Sequence, residues 1–435
     1  MMPVDEKKKL SRAMGKMLAI FLLALTLRLV YWHMPAIQYH HRTQSELVCG
    51  GVVQAGDSVR YVSLADNLVD GVGFRYEQGQ PFTMFDAPGY PLFLAGLFSV
   101  FGRDCWNVVL LVQCVLDSLV CVILVLLSQV ALKQMRSGLF AGLAYALYYP
   151  NVMYTAWILT EVLFTFLLNL FFLVLFIALD RRKVSLFALC GAVFGCLCLT
   201  KAAPTYFLPV LAIIPLVRAP AGVRVWRQSV AMVAASLVLL VPWFAQGPRH
   251  YGRLILGTTT AAETMLAGIS VDYDGDYETQ AYEQTNSAFG QIFYSGLSAA
   301  EQEGLYRAAV KRELVRNLSR RPGSMLLLMG RQISRLYLNI PFRRAQSRAS
   351  YAVALLNIGI LLAGFAGWWR ERRNAFLQWM MIFVVYYTAV HSLVCALIRY
   401  GAPVMPLWLL LAGITAEGVW QGLRAQRPAC DTPAA

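Results

Sequence analysis

The sequence predicts an all-α polytopic membrane protein of about ten transmembrane helices, with interfacial helices and a cap on one face, and three observations carry that expectation. Of its 435 residues 58% are hydrophobic and only 14% are charged, a balance too apolar for a soluble chain of this length. Apolar runs able to cross roughly 30 Å of hydrocarbon recur along the chain. The positive residues behind the net charge of +14 fall in short clusters between those runs. Such clusters fit membrane orientation better than nucleic acid, which is not expected as a partner.

The first run, 17–34, follows Lys7-Lys8-Lys9, Arg12 and Lys16 and has no small-residue cleavage site behind it, so it reads as a retained signal anchor. Further spans are expected near 106–131, 137–151, 159–179, 185–201, 203–217, 229–245, 351–369, 375–397 and 402–421. The stretch 90–101 is apolar but short and bracketed by prolines and glycines. If it crossed, Lys133, Arg136, Arg181-Arg182-Lys183, Arg370, Arg372, Arg373 and Arg424 would all leave the side of the N-terminal lysines, so it reads as interfacial. Both termini are then cytoplasmic. The segments 35–105 and 246–350, with short loops at Pro150-Asn151, Lys201 and Arg399-Tyr400, share the other face.

Three regions follow: an N-terminal module 1–245 with the first loop, a cap 246–350, and C-terminal helices 351–435. Within the cap, Ser298 and Glu301 form a capping-box pattern opening a basic helix through Arg307, Lys311, Arg312, Arg316 and Arg320. After Pro322-Gly323, the stretch 324–338 reads as a second interfacial helix. Of nine cysteines, Cys49 and Cys105 lie on the outer side, where they are either a disulfide or two free thiols.

Asp57, in Gly56-Asp57-Ser58-Val59-Arg60-Tyr61, opens an amphipathic segment whose buried face is Tyr61, Leu64, Ala65 and Leu68. A carboxylate there is either a general base for an incoming hydroxyl or a plain helix N-cap. Glu161 begins the fourth span, where it either pairs with a cation or satisfies the helix dipole. Lys201 and Arg399 are cations at outer helix ends, with His391 two turns before Arg399 and Tyr400 after it. With Arg249, His250 and Arg253 they form either a pocket for a phosphate or a rim for anionic lipid. Asp86 and Tyr61 are supporting candidates from the first loop. Arg28, inside an apolar run, either snorkels outward or pairs with an acid such as Asp57 or Glu161.

The acids Asp272, Asp274, Asp276 and Glu278 lack the spacing of a calcium loop and read as solvated chain, so no metal ligand is assigned. No P-loop, CxxC zinc pair, HExxH or GxSxG occurs. ATP-driven transport and serine or zinc hydrolysis therefore have no support.

Taken in order, Leu27-Arg28-Leu29, Asp57 to Leu68, Pro88 to Gly102, Thr160-Glu161, Thr200-Lys201 and Arg399-Tyr400 followed by Pro403 and Pro406 give the chain a recognisable pattern. It resembles bacterial membrane glycosyltransferases of the GT-C superfamily, in the branch of the protein O-mannosyltransferases and the lipid A aminoarabinose transferase. The resemblance implies a GT-C-like bundle in the bacterial inner membrane with its active site on the periplasmic face. It implies a polyprenyl-phosphate sugar donor, a periplasmic hydroxyl acceptor on glycolipid, polysaccharide or protein, and transfer with inversion. No cofactor is required, and a divalent cation is neither signalled nor excluded. Carried over by residue, Asp57 is catalytic, Glu161 matches an acidic position and Lys201 a lysine near the donor phosphate. Ser58 departs from the pattern, because relatives commonly carry a second acid there. The competing expectations are a flippase for lipid-linked saccharides, disfavoured by two dissimilar halves, and a non-catalytic subunit of a glycan assembly machine.

Overall fold

Leucine, phenylalanine and alanine in long uninterrupted runs have one way to satisfy their backbone in lipid, which is to coil. The computed structural model accordingly is almost entirely helical; it describes residues 4–34, 48–49, 52–53, 56–217, 225–270, 297–320, 322–338, 348–394 and 396–425. The N-terminal half comprises α1 (Val4–Trp32), α2 (Asp57–Val69), α3 (Gly89–Phe101), α4 (Trp106–Leu132), α5 (Arg136–Ala146), α6 (Tyr149–Tyr154), α7 (Thr160–Arg181), α8 (Val184–Thr200), α9 (Leu208–Val217) and α10 (Trp226–Phe244). There follow α11 (Thr260–Ser270), α12 (Ala299–Arg320), α13 (Pro322–Leu338), α14 (Arg348–Arg370), α15 (Ala375–Leu393) and α16 (Met405–Ala425). Val48–Cys49 and Val52–Val53 pair as a minimal antiparallel ribbon.

Among the described residues, seven helices are long and apolar enough to cross a membrane, and 184–200 and 203–217 are shorter apolar helices. The span expected at 137–151 is broken. Tyr148 is extended and Pro150 opens α6, because proline has no N–H to continue α5 and is tolerated only in a first turn. The two pieces together run from one end of the bundle to the other. Lys133 bonds Asp180 at 2.9 Å at one end of α4 and α7, whereas the Gln113 amide donates to the Thr155 and Trp157 carbonyls at the other. Arg136 meets Glu417 at 3.4 Å at the first, basic end. α3, at 13 residues, is about 20 Å long and packs on α2 and α8.

α8 and α10 pair closely, so that a Cβ at Gly191 would run into the Met232 carbonyl and one at Gly195 would press on Leu239. Small residues four apart let two apolar helices close when lipid offers no hydrophobic drive. The cap builds its own core from Leu266, Ala267 and Ile269 of α11, Tyr306 and Val310 of α12, and Met325 and Leu328 of α13. The capping box forms: the Ser298 N–H donates to Glu301 at 2.9 Å and the Glu301 N–H to the Ser298 hydroxyl at 3.4 Å. Cys105 is a buried free thiol, and the Cys49 side chain and the acidic stretch 272–278 lie outside the described residues.

Arg28 pairs with an acid, as one of the sequence alternatives holds, but not with either acid named for it. It neither snorkels nor reaches Asp57 or Glu161; fully buried, its Nε donates to Asp117 of α4 at 2.6 Å and its Nη1 to the Ala24 carbonyl at 3.0 Å. Tyr145 donates its hydroxyl to the same carboxylate, and Asn151 donates to Tyr145 at 2.9 Å and to the Ala402 carbonyl at 3.3 Å. A buried cation needs a full shell, and Asp117 is nearer in depth than any outer acid. Asp117→Asn is expected to destabilise the protein by about 3 kcal/mol, while Arg28→Met combined with Asp117→Leu costs less. Thermal unfolding in detergent measures both.

Candidate active site

Gly56 takes a left-handed φ of 57°, a conformation glycine adopts without strain, and this turns the chain into α2 with Asp57 as its first residue. Gly56 holds the cap position and no side chain caps the helix. Asp57 is therefore free of the capping role. Its Oδ1 accepts from Arg60 at 2.7 Å and its Oδ2 from Arg399, 342 residues away. Arg60 also reaches Asp86, Nε to Oδ2 at 2.9 Å, and Tyr76 donates to the same carboxylate at 2.9 Å.

Glu161, in the first turn of α7 and almost fully buried, accepts from Lys201 at 2.9 Å and lies 3.9 Å from the Arg399 guanidinium. The sequence alternatives of dipole and ion pair are both realised there. Lys201 ends α8 in an extended conformation, which turns its ammonium 4.8 Å from the Tyr400 ring and 5.6 Å from that of Phe164. Arg399 sits 5.4 Å from the Tyr400 ring. Gly401 makes this possible, since a Cβ there would strike the Leu336 carbonyl.

Three acids, Asp57, Asp86 and Glu161, thus face three cations, Arg60, Lys201 and Arg399, drawn from four separate segments at one end of the bundle. Burial pushes the Asp57 carboxyl up, but the Arg399 and Arg60 guanidiniums outweigh it and hold the group below the usual carboxylate range. Tyr61, buried against the Tyr90 ring at 5.4 Å, has its hydroxyl pushed well up by burial and by Asp86, Asp57 and Glu161. Among the described residues no three His, Cys, Asp or Glu side chains group as a metal site.

Residues 86–245 match the family described as dolichyl-phosphate-mannose-protein mannosyltransferase. The oligosaccharyltransferase AglB of Archaeoglobus fulgidus, in complex with an inhibitory peptide and a dolichol phosphate, superposes with a TM-score of 0.55 at 13% identity over 96% of this chain and 52% of that one. The fold is that of the GT-C superfamily.

A second AglB structure, with zinc and sulfate, gives a TM-score of 0.51 at 13% identity over 93% of this chain and 50% of that one. The chain thus spans about half the length of these structures. ArnT from Cupriavidus metallidurans bound to undecaprenyl phosphate gives a TM-score of 0.39 at 14% identity over 95% of this chain and 81% of that one. No curated protein sequence matches the chain. Asp86, Glu161 and Lys201 fall inside the matched family stretch, while Asp57 and Arg399 lie on either side of it.

Within this GT-C frame the sequence candidates sort by contact. Asp57, Asp86, Glu161, Lys201, Arg399, Tyr61 and Tyr400 converge. His391 is buried beside them, its Nδ1 2.8 Å from the Tyr387 carbonyl and its ring 5.6 Å from that of Tyr400. Arg253 instead pairs with Glu303 of α12, and Arg249 is exposed on the turn whose His250 stacks on Phe82 at 4.3 Å. Ser58 is fully buried.

Arg60, Tyr76 and Glu263 were not picked out from the sequence. Arg60 had a signal, an arginine three residues after an aspartate on one helix face. Glu263 had a weaker one, as the only acid in the 260–270 helix.

Proposed function

We propose that this chain is a membrane glycosyltransferase that moves a sugar from a polyprenyl-phosphate donor to a hydroxyl acceptor, inverting the anomeric carbon, at the periplasmic face of a bacterial inner membrane. The observation that carries the reading is the half-buried, charge-balanced set of three carboxylates and three cations that includes Asp57. The dolichol phosphate in AglB and the mannosyltransferase family match support a lipid-phosphate donor.

In this reading Asp57 accepts the hydrogen bond of the acceptor hydroxyl and faces the positive charge that grows on the sugar. Its oxygens are held by two guanidiniums, so its direction is set before substrate arrives, the condition under which charge stabilisation is most effective. The acceptor oxygen attacks the anomeric carbon from the face opposite the phosphate, whose C–O bond breaks. In the same reading Lys201 and Arg399 supply the counter-charge to the departing phosphate, and the aromatic floor of Tyr400 and Phe164 holds the Lys201 ammonium. Each acid is already neutralised by a cation, so the reading needs no metal and transfer is expected to survive a chelator.

The test is a vesicle assay with purified protein and isotopically labelled undecaprenyl-phosphate hexoses supplied on one face. Transfer, or slow release of sugar to water, supports the reading. Translocation of the intact lipid without sugar release would replace it with a lipid transporter.

A further inference from the structure

One acid beside this site makes no side-chain hydrogen bond or ion pair among the described residues. Glu263 lies in the first turn of α11, and that turn is pinned to the first loop: the Thr259 N–H donates to the Met84 carbonyl at 2.9 Å and the Thr260 hydroxyl to the Phe85 carbonyl at 2.9 Å. These bonds set Glu263 against the stretch ending in Asp86. The residue is 7% exposed, yet among the described residues its carboxyl makes no hydrogen bond or ion pair. Buried carboxylates are ordinarily paired. The elements packed on the other side of α11 offer apolar groups, Val310 of α12 and Met325 and Leu328 of α13. The charges that act on Glu263 are those of Arg60, Asp86 and Asp57.

Resting on the glycosyltransferase reading above, we infer that Glu263 is the catalytic base that takes the acceptor's proton, while Asp57 orients the hydroxyl. The acceptor O–H bond breaks and its electron pair forms the new bond to the anomeric carbon. The bond from that carbon to the phosphate oxygen breaks with its pair going to the phosphate, and the proton passes to Glu263, directly or through one water, and then to solvent.

The division of labour follows from the two environments. Asp57 is held below the usual carboxylate range by its guanidiniums and keeps a proton poorly. Burial raises Glu263 to about 7, with Arg60 opposing and Asp86 and Asp57 assisting, which suits a base working near neutrality. Two carboxyls pushed apart by their surroundings commonly divide acid–base roles in this way.

Since the folded chain binds this proton more tightly than the unfolded one between the ordinary 4.5 and about 7, stability falls as pH rises across that window. Glu263→Gln removes that penalty and is expected to fold at least as well as the parent at pH 8.

The experiment uses the full-length protein in vesicles with labelled undecaprenyl-phosphate hexoses, following sugar transfer or release, and undecaprenyl phosphate alone as a binding probe. Glu263→Gln is expected to lower kcat by about 10²-fold or more, to leave KM for the donor and undecaprenyl phosphate affinity within about twofold, and to abolish the rise of activity through pH 7. Glu263→Asp restores part of the rate. A carboxyl infrared band titrating near pH 7 in the parent is expected to vanish in Glu263→Gln. Parental kcat and pH profile in Glu263→Gln, with Asp57→Asn inactive, would overturn the inference and leave the glycosyltransferase reading standing, as would absence of the band. No sugar release by the parent from any donor would overturn both.

Discussion

Asp57→Asn is expected to reduce sugar transfer by on the order of 10³-fold while leaving the melting temperature near that of the parent. The rate effect combines loss of the acceptor-orienting carboxylate with loss of the negative charge facing the anomeric centre, each in the range usual for a preorganised group. The fold survives for a reason visible in the contacts. Asparagine keeps the size and one acceptor oxygen, Arg60 retains Asp86 at 2.9 Å, and Arg399 retains Glu161 at 3.9 Å. Neither guanidinium is therefore stranded. A residue serving only to start α2 would behave in the opposite way, since asparagine is as good at a helix start as aspartate and activity would persist. Steady-state transfer from a labelled polyprenyl-phosphate sugar, together with a thermal melt, separates these outcomes.

What could be read in the sequence follows from which forces are local. Hydrophobic runs specify helices one at a time, so α4, α7, α10, α14, α15 and α16 stand within a few residues of where they were expected. Hydropathy does not register a missing N–H, and the run 137–151 was read through Pro150 although the helix breaks there. Convergence of Asp57, Glu161, Lys201 and Arg399 was legible because all four sit at ends of elements that the sequence places on one face, and their contacts do bring them together. Their partners were not legible. Whether Arg399 meets a phosphate or Asp57 depends on how α2 leans against the 398–401 turn, which no local pattern encodes. The Arg28 partner does have a sequence signal, since Asp117 is a lone acid in an apolar run and a charge at that depth marks a buried pair. Glu263 offered only the weak signal of a single acid in its helix, because what marks it is a buried carboxyl without a hydrogen bond or ion pair among the described residues, which no local pattern encodes.

Arg399→Gln is expected to lower kcat by about 10²- to 10³-fold, the usual cost of removing one fixed charge-stabilising donor, and to weaken undecaprenyl phosphate binding in the same preparation. It is also expected to move the acid limb of the pH profile. With Arg399 present, Asp57 is held below the usual carboxylate range against the opposing effect of burial. An ionised Asp57 then survives to low pH, so below the step that Glu263 sets near pH 7 the remaining activity is lost only as pH drops through that depressed value. Removing the guanidinium leaves burial opposed by Arg60 alone, so the Asp57 pKa rises and activity is lost at a higher pH. Arg399→Lys separates charge from geometry. A single ammonium can neutralise one oxygen but cannot span Asp57 and Glu161 as the planar fork does, so the acid limb returns part of the way while kcat stays depressed. If both variants kept the parental profile, Asp57 and Arg399 would not be coupled in the working enzyme. Arg399 would then be a lipid-facing cation rather than the link between the carboxylate that orients the acceptor and the acid that anchors Lys201.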